Sequence, residues 1–165
     1  MIVYVVRHAA AAERGAGKPD AERPLTQEGI ARMKAVARGL CKVGIAPAVI
    51  YTSPLVRARQ TADILAKALG KDWEATDCEA LAPGHTALEV IEFLAKEGGD
   101  EAAIVGHEPQ LGEVVALMVT GRPKETVDMK KASVACVQFD GRPAAGGGVI
   151  LWHIVPSIIE KLAQE

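Results

Sequence analysis

The chain has 165 residues, 49% of them hydrophobic and 24% charged, the balance of an ordinary globular protein able to bury a core. Nineteen Lys and Arg against twenty-one Asp and Glu give a formal charge of −2, which argues against nucleic acid or an anionic membrane as partner. Aromatic residues, at 4%, are too few for a base-stacking surface.

Residues 1–6 form an apolar run rich in β-branched types, the pattern of a strand buried on both faces in an α/β sheet. The run is too short for a signal peptide or a membrane span, and no basic segment precedes it. From Ala9 to Pro24 the sequence mixes Gly15, Gly17, Pro19 and Pro24 with charges, which predicts a long surface loop of the kind that often carries function. Thr26 is a natural N-cap for a helix with Ile30, Met33, Ala37, Leu40 and Cys41 on its apolar face, ended by Gly44 and Pro47. Ala48 to Tyr51 reads as a short strand.

Ser53-Pro54 reads as an N-cap followed by proline at the first helical position, with Ala58, Ala62, Leu65 and Leu69 turned inward and Gly70 as the stop. A brief strand is expected at Trp73 to Ala75. Thr86 and Glu89 have the spacing of a capping box, opening a helix that ends near Gly98. Ala102 to Val105 is a strand, and a helix with Leu111, Val114, Val115 and Met118 on its apolar side begins at Pro109. Val134 to Phe139 and Val149 to Ile154 are two strands joined by a Gly/Pro-rich turn, and the tail from Pro156 is helical. Strands alternating with helices, without repeat or linker, predict one α/β domain over residues 1–165.

Polar residues gather where strands end. Arg7-His8 closes the first strand, Ser53-Pro54-Leu55-Val56-Arg57 follows the second, and Gly106-His107 follows a later one. Ligands of open α/β folds bind at the carboxyl ends of strands, so these segments are expected to share a pocket. Arginine forks match phosphate oxygens and stay charged. Their charge favours a neutral His8, whose lone pair can attack phosphorus to give a phosphohistidine that water then hydrolyses. His107 would stabilise the transferring oxygens.

The same residues carry a resemblance. Arg7-His8 after an apolar strand, Arg23-Pro-Leu-Thr before a helix, Ser53-Pro-x-x-Arg57-Ala-x-Gln60-Thr61 and Gly106-His107, in that order, resemble the histidine phosphatase superfamily, above all its SixA-type phosphohistidine phosphatase branch. The resemblance implies a phosphoglycerate mutase-like three-layer α/β/α sandwich with a mostly parallel central sheet. It also implies His8 as nucleophile, Arg7 and Arg57 as phosphate clamp, His107 as second pocket histidine and Arg23 as a further substrate-binding arginine. Neither a metal nor an organic cofactor is implied.

Two departures from the superfamily pattern bear on function. Ala9 stands where Arg-His is usually followed by glycine. In Glu79-Ala80-Leu81-Ala82-Pro83-Gly84, Ala82 and Pro83 stand where ester-cleaving relatives carry an acid. An alkoxide leaves poorly without a proton donor, whereas a protonated phosphoimidazole departs as a neutral ring. The expected substrate is therefore phosphohistidine on a partner protein, dephosphorylated by a monomeric signalling enzyme. Glu13, Asp20 and Glu79 are the acids able to substitute. The alternatives are a phosphate-monoester phosphatase or mutase-like enzyme on small metabolites, and a silent phospho-binding module.

Other polar residues have plainer readings. Arg59, Lys67 and Lys71 read as surface charges, and His85 as a loop residue before a helix cap. His153 reads as a satisfied structural histidine. Lys130 and Lys131 read as solvent-facing charges, ahead of a role in attracting a phosphorylated partner. Gly146-Gly147-Gly148 lacks a following helix and reads as a hairpin turn rather than a phosphate loop. Cys41, Cys78 and Cys136 are odd in number and lack ligand spacing, so they read as reduced thiols of a cytoplasmic protein.

Overall fold

A computed structural model describes residues 1–15, 17–72, 74–124 and 127–162. Its centre is a six-stranded sheet built from β1 (Ile2–Arg7), β2 (Val49–Thr52), β3 (Thr76–Asp77), β4 (Glu101–Gly106), β5 (Val134–Phe139) and β6 (Gly148–Ile154), in the order β3-β2-β4-β1-β5-β6. The pairings β3–β2, β2–β4 and β4–β1 are parallel, whereas β1–β5 and β5–β6 are antiparallel. The helices are α1 (Gln27–Val43), α2 (Val56–Ala68), α3 (Ala87–Glu97), α4 (Gln110–Thr120) and α5 (Pro156–Leu162).

Strand periodicity divides the interior into two cores. Tyr4 and Val6 on β1 pack with Met33, Val36, Ala37 and Leu40 of α1 and Ala58, Ala62 and Leu65 of α2. Val3 and Val5 point the other way, onto Ile91 and Leu94 of α3 and Leu111, Val114 and Met118 of α4. Both faces of the sheet are thus covered by helices, the expected three-layer α/β/α sandwich with a mostly parallel sheet. Fully burying a Leu, Val or Met side chain is worth roughly 1.5–3 kcal/mol, so this double burial explains why β1 is a continuous apolar run. Among the described residues no helix is long and apolar enough to cross a membrane.

Local signals set most of the boundaries. Thr26 Oγ1 accepts the Gly29 N–H at 3.0 Å, capping α1, and the left-handed Gly44 (φ 84°) closes it. Gly29 itself is required by packing, since a Cβ there would lie 2.1 Å from the Ala10 carbonyl oxygen. The Thr86/Glu89 capping box of α3 is present in both directions.

Four expectations are corrected. Helix α2 begins at Val56 with Leu55 as its N-cap, not at Ser53-Pro54; the Ser53 hydroxyl accepts the Leu55 N–H at 3.3 Å ahead of the helix and also bonds His107. Cys41 is exposed rather than inward, lying past the edge of the α1 apolar stripe. The strand expected from Trp73 is instead Thr76–Asp77, and Trp73 lies outside the described residues. His153 is exposed on β6, the outer strand of the sheet, rather than a buried structural histidine.

Candidate active site

The crossovers leaving the two central parallel strands, β1 and β4, run in opposite directions. From β1 the chain crosses through α1 to β2 on one side; from β4 it crosses through α4 to β5 on the other. Neighbouring parallel strands that feed opposite directions leave a crevice at their carboxyl ends. Arg7 pairs in register with Gly106, so His8 and His107 emerge side by side. The His8 N–H donates to the Gly106 carbonyl at 3.1 Å and the Ser53 N–H to the Val105 carbonyl at 2.9 Å. The three polar segments expected to converge therefore meet at one spot, with imidazole centroids 5.0 Å apart.

His8 is 7% exposed. Its Nδ1 lies 2.7 Å from the Ala9 carbonyl oxygen, which only accepts, so the proton sits on Nδ1 and Nε2 keeps its lone pair. Burial pushes the His8 pKa down to about 4; the Ala9 bond works against this, and the charges of Arg57, Arg7 and Lys131 reinforce it. The ring is neutral near pH 7. His107, 6% exposed, is lowered to about 3, by burial first and then by His8 and Arg57. Its Nε2 lies 2.8 Å from Ser53 Oγ, while its Nδ1 is buried without a partner among the described residues.

The arginines are held rigidly. Arg7 Nη1 donates to the Met129 carbonyl at 2.7 Å. Arg57, 3% exposed and in the first turn of α2, donates from Nη1 to the Asp20 carbonyl oxygen at 2.8 Å and from Nη2 to Asp20 Oδ2 at 3.2 Å. The Nε atoms of both arginines are buried and unpartnered among the described residues. A buried N–H left unpaired costs about 1–3 kcal/mol, so two orphaned guanidinium donors beside an orphaned imidazole nitrogen fit an oxyanion.

Arg23 reaches this cluster through one carboxylate. Its Nε lies 2.9 Å from Asp20 Oδ1, whose other oxygen faces Arg57, and its Nη1 donates to the Ala12 carbonyl at 2.6 Å. Desolvation opposes ionisation of Asp20, but the guanidinium groups of Arg57, Arg23 and Arg14 hold its carboxyl below the usual range. Of the three acids able to replace the missing proton donor, Asp20 is the one at the arginines. Glu79 has a 77% exposed side chain and faces His85 at 3.8 Å. His85 also contacts Glu89 Oε1 at 3.0 Å, at the start of α3 where the sequence reading put it.

The remaining motif residues brace the site. Thr61 Oγ1 donates to the Arg57 carbonyl at 2.7 Å and accepts the Ala9 N–H at 3.1 Å. Gln60 Oε1 accepts the Leu25 N–H at 2.8 Å. Ala9 is fully buried, and its φ is not positive, so the position does not need glycine.

The family model described as histidine phosphatase superfamily (branch 1) matches residues 3–81. An uncharacterized protein of Picosynechococcus sp. is 38% identical over 138 residues, 81% of this chain and 82% of that protein. The chain belongs to the histidine phosphatase superfamily. Within it the likeness is to the SixA type: the phosphohistidine phosphatase SixA of Escherichia coli (strain K12) is 29% identical over 160 residues, 94% of each protein. A solved structure of the protein histidine phosphatase SixA complexed with tungstate superposes with a TM-score of 0.84 at 26% identity, covering 96% of this chain and 99% of that one. The fold is the phosphoglycerate mutase-like one, and membership of the superfamily supports phosphatase activity.

The sequence pattern does not disclose Glu108, nor the side-chain role of Ser53 within its pocket segment. Glu108 bridges two backbone amides, accepting the Met129 N–H at 2.9 Å and the Gly112 N–H at 3.3 Å. It therefore steadies the carbonyl that holds Arg7. Its place directly after Gly106-His107 was the available signal. Ser53 was read as a helix cap, and its bond to His107 spans 54 positions of sequence.

Proposed function

We propose that this superfamily member is a phosphohistidine phosphatase acting on a partner protein. The observation that carries the reading is a neutral His8 with a free Nε2 beside two arginines, at a site where the carboxyl on the arginine fork, Asp20, is held ionised and the nearby Glu108 has both oxygens taken by backbone amides. Such a site attacks phosphorus well and protonates a leaving group poorly. Phosphohistidine suits it, because its leaving ring already carries the proton an alkoxide would need.

The geometry supports the following steps. Arg7 and Arg57 clamp the phosphoryl oxygens. His107, accepting at Nε2 from the Ser53 hydroxyl, donates from Nδ1 to one of those oxygens. His8 Nε2 forms a bond to phosphorus as the bond to the substrate nitrogen breaks, and the substrate imidazole leaves as a neutral ring. His8 is then a phosphorylated imidazolium, its Nδ1–H still donating to the Ala9 carbonyl. Water attacks phosphorus, the P–N bond breaks, the ring recovers its lone pair and dihydrogen phosphate departs. Arg23 acts on the substrate through Asp20. The same reading has the enzyme work as a monomer in signal transduction in the cytoplasm, a reducing compartment that suits the free Cys41, Cys78 and Cys136.

The test is a comparison of substrates. With a histidine peptide phosphorylated by phosphoramidate, acid-labile phosphate is expected on His8, and phosphate release is expected to exceed that from sugar phosphates. His8→Ala should cut turnover at least about a thousandfold with an unchanged circular dichroism spectrum. Equal or faster turnover of sugar phosphates would overturn the substrate assignment. Binding of the peptide without phosphoenzyme would make the protein a recognition module.

A further inference from the structure

An open groove of about 510 Å³ adjoins the site, lined by Arg7, Arg32, Lys130 and Lys131 and flanked by Val155 and by Pro156 at the start of α5. Resting on the phosphohistidine reading above, we propose that this groove docks an acidic segment flanking the phosphohistidine of the partner protein.

The cations are gathered here although the chain as a whole carries a formal charge of −2. Two carboxylates stand at the rim: Asp128 pairs with Lys130, and Glu160 with Arg32 at 2.9 Å. Both pairs are exposed and therefore exchangeable for a partner's carboxylates. Lys131 has no ion pair among the described residues. Glu108 lies behind the same loop with its oxygens taken by backbone amides.

The lysines are built onto the catalytic strand. Ala132 has φ 62°, the one positive φ at a non-glycine position among the described residues, a conformation disfavoured for a side-chain-bearing residue. Its N–H is shared between the Arg7 carbonyl at 3.1 Å and the His8 carbonyl at 3.3 Å, and the Ser133 N–H closes the turn on the Lys130 carbonyl at 2.8 Å. This turn fixes Lys130 and Lys131 relative to His8, and the Lys131 charge is felt at the His8 ring.

Arg7 belongs to both places. A phosphoryl group held by Arg7 therefore has the groove as its immediate continuation. Lysines are mobile point charges rather than rigid forks. Spread along an open groove, they suit several carboxylates of a chain better than the second phosphate of a compact metabolite.

The test uses two peptides with a central histidine phosphorylated by phosphoramidate, one flanked on one side by four Glu, the other by four Gln. The wild-type enzyme is expected to release phosphate from the acidic peptide about tenfold more efficiently in kcat/KM at low salt. That preference should vanish near 0.5 M salt, roughly where screening shortens to a few ångströms, and should vanish in Lys130→Gln/Lys131→Gln. Phosphoramidate alone, assayed in parallel, reports the chemistry at His8. Equal rates on the two peptides, a preference that survives in the double variant, or an equal loss on phosphoramidate would each overturn the docking role. Hydrolysis of neither peptide alongside turnover of sugar phosphates would remove the phosphohistidine reading, and the groove's role with it.

Discussion

Asp20 offers Arg57 a carboxylate where a substrate would offer a phosphoryl oxygen. Its Oδ2 meets Arg57 Nη2 at 3.2 Å while its Oδ1 meets Arg23 Nε at 2.9 Å. An anion bound at Arg57 thus shares that fork with a fixed negative charge or displaces it. Asp20→Asn removes the charge and keeps the shape. The side chain of Asp20 is 43% exposed, so solvent screening limits the gain to about 1 kcal/mol or less. Inorganic phosphate is expected to inhibit Asp20→Asn about three- to fivefold more tightly than the wild type at low salt, with the difference shrinking as salt rises. Competitive inhibition constants check this. Weaker inhibition would mean that Asp20 serves to aim Arg57 rather than to compete with its ligand. A loss of turnover on phosphate esters alone would make Asp20 the proton donor after all.

Individual elements are joined at the site by backbone groups as much as by side chains. Glu108, between β4 and α4, takes the Met129 N–H, and the Met129 carbonyl takes Arg7 Nη1, so a carboxylate positions an arginine through one intervening peptide. Glu108→Ala leaves the Met129 amide unpaired and frees the loop ahead of β5. The expected result is a KM for phosphorylated substrate raised about fivefold, with kcat reduced less, and a melting temperature lowered by a few degrees. Glu108→Gln, which keeps an acceptor oxygen, should recover most of both. A Glu108→Ala enzyme with unchanged KM would reduce the residue to a structural brace. The contrast with Thr26 and Thr86 explains what the sequence discloses. Those caps act within one helical turn, and their spacing is visible in the chain. The partners of Glu108 are backbone amides, which leave no mark in the sequence, and the partner of Ser53 is a histidine from another strand. His8 and His107 were legible because strand ends converge in this topology. Asp20 was legible only as one of three acids, since loop placement chose among them.

At the scale of the whole molecule, the two pocket histidines tie stability to pH. Both have depressed values in the folded protein, about 4 for His8 and about 3 for His107, against about 6.5 in an unfolded chain. Between those limits the unfolded state binds more protons, so stability rises with pH. Their contribution is fully present above about pH 6.5 and is lost as pH falls toward 4 and then 3. Glu108 and Asp63, whose values are raised by burial, act in the opposite sense, since the folded state holds their protons more readily. Partial desolvation lowers the exposed His153 in the same direction. The net expectation is a loss of stability from pH 6.5 to 4.5 with a slope approaching about 1.4 kcal/mol per pH unit for each buried histidine. Urea unfolding across that range measures it. In His8→Gln/His107→Gln the slope should flatten, because neither side chain then has a proton to gain on unfolding. An unchanged slope in that variant would mean that the imidazoles titrate alike in both states. The neutral nucleophile on which the catalytic reading depends would then lose its basis in burial.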